Sequence, residues 1–186
     1  MNNNPTKTIA IFATLAALMA VTRDHHFGSI ANLPDASLAI FLLAGLYLPR
    51  VALPILLVEA GLVDYSAINF GGVSDWCFSP AYWFLIPTYA VMWYAGRFYA
   101  ARHSQSWHGL ALFAATALLA TSAAFVISNG SFYLFSGRFA EMGALQYAGN
   151  LTGYYGQYLA GAFLYLFVAA CVQIAIANLS GRSARA

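Results

Sequence analysis

The chain has 186 residues, 61% of them apolar and 8% charged, with eight Lys or Arg, six Asp or Glu and a formal net charge of +2. Soluble domains carry about 25% charged residues, so this composition excludes a soluble globular domain and a disordered chain. With so few, scattered cations it also excludes a nucleic-acid-binding surface. What remains is an all-α integral membrane protein: at about 20 apolar residues per span, residues 1–186 have room for roughly five to seven helices in one membrane domain.

The first apolar run, Thr8–Val21, follows a single lysine, Lys7, and ends at Arg23, Asp24, His25 and His26. One cation and no small-x-small site before Arg23 make a poor signal peptide, so a retained span over about 8–22 is expected. Ala13 with Ala17, and Ala16 with Ala20, form small-xxx-small pairs that let membrane helices approach closely. They serve internal packing, which the pattern alone favours, or docking of a partner membrane subunit.

The next runs cover about 36–48 and 51–63, divided by Pro49 and Arg50. Proline beside arginine predicts a turn. A single kinked helix over 36–63 would instead hold Arg50 near mid-membrane, at about 2.5–3.5 kcal/mol. The two helices are then short, about 20 Å each. Asp64 and Tyr65 close the third helix, Glu59 lies in it near its outer end, and Asn69, Gly71, Gly72 and Asp75 read as a non-helical loop. A fourth span covers 81–97, followed by a polar turn with Arg97, Arg102, His103 and His108 in which both histidines are solvated. A fifth covers 108–128 and is broken by Asn129-Gly130. An amphiphilic loop with Arg138 and Glu141 leads to the last span, about 152–179, and a tail carrying Arg182 and Arg185.

With six spans and both termini cytoplasmic, Lys7, Arg50, Arg97, Arg102, Arg182 and Arg185 lie inside and only Arg23 and Arg138 outside, as the positive-inside rule favours. A five-span chain would put the N-terminus outside. Either way the loops holding Cys77 and Arg138 face outward. The outer loops are long, glycine-bearing and aromatic, which suits a large, flat organic ligand.

Cys77, between Trp76 and Phe78, faces an oxidising compartment with no partner cysteine in view, since Cys171 sits deep in the last apolar run as an inert filler. Cys77 is therefore a small apolar filler or a thiolate ligand to a soft or borderline metal. His25 and His26 are candidate ligands or ordinary interfacial residues. No spacing among the cysteines and histidines signals a structural zinc site. Asp64 sits where the helix dipole disfavours a carboxylate, so it is a solvated acid or it has a partner: a ligand amide or hydroxyl, or Arg138. Asp75 reads as solvated. Tyr82 is an interfacial tyrosine by itself, and Tyr154, Tyr158 and Tyr165 share a face that packs in the core or lines a cavity.

Asp64-Tyr65, the run Trp76-Cys77-Phe78-Ser79-Pro80 and Tyr82, with His25 in support, resemble the solitary cobalamin-specific S-components of energy-coupling-factor (ECF) transporters, the BtuM type. The resemblance spans essentially the whole chain, and its specific part is about Asp64 to Tyr82. It implies a six-helix S-component bundle in the bacterial inner membrane that takes up cobalamin or a related corrinoid. The protein would have no cofactor of its own, would not be an enzyme, and could dock an ECF energising module through the helix 1 alanine face. The family's cobalt-coordinating cysteine is matched by Cys77. Its aspartate, tyrosine, histidine and arginine are matched by Asp64, Tyr82, His25 (or the equally placed His26) and Arg138, with Tyr65 and Asn69 as further contacts. A thiolate binds Co(III) well and metal proximity favours its deprotonation, so Cys77 is expected to displace an axial ligand such as cyanide or the nucleotide base. The competing readings are an S-component for another vitamin, which would not need Cys77, and a membrane thiol oxidoreductase, which wants a second outer cysteine. A purely structural membrane subunit would leave the polar, aromatic outer loops without a use.

Overall fold

The computed structural model describes residues 5–23 and 33–183, with side chains as far as 177. The described residues contain no strand. They form six helices: α1 (Pro5–Thr22), α2 (Ser37–Tyr47), α3 (Ala52–Phe70), α4 (Leu85–Ala100), α5 (Trp107–Phe135) and α6 (Ala144–Ser183). Short 3₁₀ turns at Asp75–Cys77 and Pro80–Phe84 join α3 to α4. Four helices, Pro5–Thr22, Ala52–Phe70, Trp107–Phe135 and Ala144–Ala177, are long and apolar enough to cross a membrane.

α2 is the axis of the bundle. Its sequence is apolar on every side, as a helix without a lipid or water face must be, and every residue from Ser37 to Gly45 is buried. At 11 residues it is about 16 Å long, less than the ~30 Å hydrocarbon core. The expected shortness of this element is thus present, and a helix enclosed by protein need not match the bilayer. α4 crosses α2 at Gly45 and Gly96. A methyl group on Gly45 would overlap the Trp93 carbonyl, and one on Gly96 would overlap the Leu42 carbonyl. Around this crossing Met19, Phe41, Leu56, Met92 and Trp93 fill the core.

The Pro49-Arg50 turn is present. The Leu48 N–H returns to Ala44 O at 2.8 Å to end α2, and Ala52 N–H bonds Pro49 O at 2.9 Å to begin α3. Three other boundaries differ from expectation. α3 continues to Phe70, so Asp64 and Tyr65 lie within it, Asn69 is helical, and Glu59 is near the helix midpoint. Asn69 is absorbed by bonding its side-chain amide to Tyr65 O, one turn back, at 2.8 Å. The helix stops only where Gly72 takes a positive φ of 69°, a conformation that suits glycine. Likewise Asn129-Gly130 does not break α5, because Asn129 bonds Phe125 O within its own helix at 2.9 Å. α6 begins at Ala144, and the expected loop over 129–150 shrinks to 136–143.

α5 and α6 have 29 and 40 residues, about 44 and 60 Å of helix, and outreach the hydrocarbon core. Their joined ends carry an aromatic knot. Tyr133 donates to Met142 O at 2.8 Å and Tyr147 to Asn129 O at 3.1 Å, and Phe139 lies edge-on to Tyr147 at 4.7 Å between centroids.

Candidate functional site

One end of the bundle collects the end of α1, the start of α2, the later turns of α3 and the loop bearing Cys77. At its centre is Arg23, 2% exposed. Its backbone N–H bonds Met19 O at 3.0 Å as α1 ends, which turns the side chain inward. Nε and Nη2 hold Asp64 Oδ1 and Oδ2 at 2.8 Å each, a bidentate fork. Nη1 donates to Ser37 Oγ at 2.8 Å and to Tyr89 Oη at 2.7 Å, and Nε also reaches Ala60 O at 3.2 Å. Ser37 passes its own hydrogen to Asp35 Oδ1 at 2.6 Å. Four of the five guanidinium N–H groups are thus taken up by α2, α3 and α4, as suits a buried cation.

Asp64 has a second partner. The Tyr82 hydroxyl donates to Oδ2 at 2.6 Å. A carboxylate has about four acceptor sites, and three are filled, by Nε, Nη2 and this phenol. Tyr82 belongs to the Pro80–Phe84 turn and packs its ring on Phe78 at 5.0 Å between centroids. Phe78 follows Cys77 directly, and its N–H closes the Asp75–Cys77 turn on Asp75 O at 2.8 Å. Ser74 starts that turn by accepting from Trp76 N–H at 3.2 Å.

The Cys77 thiol is free and its residue exposed. Crowding of the sulfur by the loop still pushes its pKa up. Arg138 opposes this and Asp64 adds to it. Arg138 lies over the Trp76 ring, 4.0 Å from its centroid, a cation–π contact that draws the α5–α6 connection onto the Cys77 loop. Trp76 and Phe78, on either side of Cys77, stand exposed, as does Phe70 at the end of α3, and the Ser79 hydroxyl is buried with no hydrogen-bond partner among the described residues.

The expected site residues divide accordingly. Asp64, Tyr82, Cys77 and Arg138 converge. Asp64 is held by Arg23 and Tyr82, while Arg138 turns to Trp76. Tyr65 is exposed, and Asn69 spends its amide on its own helix. His25 and His26 lie outside the described residues. Cys171 is exposed on α6, so packing is not what holds it. Tyr158 packs edge-on against Phe125 at 5.1 Å, and Tyr165 donates to Pro34 O, so both serve packing. On α1, Ala13, Ala17 and Ala20 are exposed and Ala16 is partly covered. Ala16 packs against the core, while Ala13, Ala17 and Ala20 are left uncovered by the described residues.

Sequence reasoning missed Arg23, Ser37 and Tyr89. The signal was an arginine just past one apolar run and an aspartate at the matching depth of the next run but one, which crosses in the same direction. Opposite charges at one level of a bundle find each other. Compared with protein-family models and with curated proteins, the chain matches none.

Proposed function

We propose that this protein takes up cobalamin or a related corrinoid across the bacterial inner membrane, as an S-component in which Cys77 is an axial ligand to cobalt. The observation that carries the reading is the exposed Cys77 between the exposed rings of Trp76 and Phe78, with the Arg138 guanidinium over one of them. A corrin ring is broad and flat, with amides at its rim and cobalt at its centre. Aromatic faces, a cation and a thiol suit those three features in turn.

In ligation the sulfur–cobalt bond forms as the existing axial ligand departs with its electron pair and the thiol proton passes to water or to that ligand. Asp64 keeps about one acceptor site for a rim amide. Tyr82, Tyr65, Asn69 and His25 or His26 supply the remaining contacts that the resemblance implies. α2 and the Pro80–Ala100 stretch complete six crossings with both termini cytoplasmic, which puts the Cys77 loop outside. Substrate would reach the cytoplasm by tilting of the whole helical body, alone or with an ECF module docked on Ala13, Ala16, Ala17 and Ala20.

Titrating purified protein with hydroxocobalamin tests the ligation. Wild-type protein is expected to give a cobalt–thiolate spectrum and Cys77→Ala to lose it. A wild-type spectrum from Cys77→Ala sinks the cobalt bond. Colourless protein that binds another vitamin identifies a different S-component. Growth of a cobalamin-dependent host lacking its own inner-membrane transporter tests uptake.

A further inference from the structure

We infer that Arg23 is the positioning residue of the Cys77 loop. The corrinoid reading gives this arrangement its use, while the geometry stands apart from it. The chain of contacts is continuous. Arg23 grips both oxygens of Asp64 at 2.8 Å, Oδ2 takes the Tyr82 hydroxyl at 2.6 Å, and the Tyr82 ring rests on Phe78, next to Cys77. Arg23 is itself fixed through Nη1 by Ser37 on α2 and Tyr89 on α4, and its Nε also reaches Ala60 O on α3.

The loop's other anchors lie at its ends or on the α5 side: Val73 N–H to Ala67 O at 3.1 Å, Phe84 stacked on Phe135 at 4.9 Å and Trp76 under Arg138. Its 3₁₀ turns are closed by local bonds, Phe78 N–H to Asp75 O and Tyr82 N–H to Ser79 O, which shape the loop without fixing its height above the bundle. Ser79 makes no side-chain hydrogen bond among the described residues. The Val73 bond ties the start of the loop to α3; beyond Cys77 the Tyr82–Asp64 bond is the side-chain tether to α3, and Arg23 orients the carboxylate that holds it. A carboxylate without its fork partner would be free to rotate about its side-chain torsions, and the phenol would move with it.

The test is the alkylation rate of Cys77 by a small maleimide in detergent, in a Cys171→Ala background with helical content checked by circular dichroism. Tyr82→Phe and Arg23→Gln are each expected to change the rate about fivefold, the scale of losing one hydrogen bond. Arg23→Lys, which keeps the charge but not the fork, is expected to fall between them and wild type. The double variant Arg23→Gln/Tyr82→Phe should match either single one, because both cut the same chain. If Arg23→Gln does not fold, Tyr82→Phe and Arg23→Lys carry the comparison. Unchanged rates in folded variants, or single effects that multiply in the double variant, overturn the assignment. A parallel titration with hydroxocobalamin separates the two proposals. If thiol rates follow the cycle but the wild-type protein gives no cobalt–thiolate spectrum, the positioning role is upheld and the corrinoid reading falls.

Discussion

Tyr82 donates its phenolic hydrogen to Asp64 Oδ2 at 2.6 Å, and Arg23 Nη2 donates to that same oxygen at 2.8 Å. One carboxylate therefore serves a buried cation and a loop phenol at once. Its removal should strand the cation.

Asp64→Asn is expected to destabilise the protein by about 3–5 kcal/mol, the usual cost of leaving a buried charge without its partner. Arg23→Leu/Asp64→Leu, which removes both charges, should cost less than Asp64→Asn. Unfolding midpoints in a detergent series read both, and a double variant worse than the single one would refute the argument.

The pH profile of Cys77 follows from its neighbours. Alkylation needs the thiolate, so the rate rises with pH and is half-maximal at the thiol pKa. Crowding raises that pKa, Asp64 raises it further and Arg138 lowers it. Arg138→Gln should therefore move the midpoint up, by a few tenths to about one pH unit, and Asp64→Asn should move it down. Because Arg138 is exposed, about 1 M salt should shrink the Arg138 effect.

At the α2–α4 crossing, Gly45→Ala and Gly96→Ala each drive a methyl group into a facing backbone carbonyl. Each is expected to cost about 1–3 kcal/mol, as overpacking does. Gly61→Ala has open space around it and should cost nothing measurable. Unfolding midpoints of the three variants check this contrast.

The exposed face of α1 offers a different contrast. Ala13→Trp/Ala17→Trp should leave the unfolding midpoint within about 0.5 kcal/mol, as surface changes usually do. If uptake depends on a docked module, the same variant should abolish growth on cobalamin while leaving corrinoid binding intact. Retained growth would mean that the chain works without that contact.

The sequence was most legible where a backbone rule acts alone. Proline at position 49 can neither donate nor continue a helix, and the chain turns there. Asn69 and Asn129 were misread because a side-chain amide can bond the carbonyl one turn back instead of forming a turn, and tertiary context decides between the two. The shortness of α2 was legible, but not its enclosure, which depends on the glycine contacts with α4. Cys77, Asp64, Tyr82 and Arg138 were singled out before any geometry was known. Arg23 was seen only as an outer-face cation, because which of two arginines meets Asp64 is a question of packing that spacing along the chain does not answer.

The complete burial of Ser37–Gly45 also bears on how cargo could cross. Ile40, Phe41 and Leu42 share one buried apolar cluster with Leu56, Met92 and Trp93, so among the described residues the axis of the bundle is filled with side chains. A ring as wide as a corrin could thread it only by extracting α2, which would dismantle the fold. The proposed uptake would then proceed by displacement of the body relative to the lipid, and its rate should respond to membrane thickness and fluidity, which uptake into vesicles of differing acyl-chain length would read.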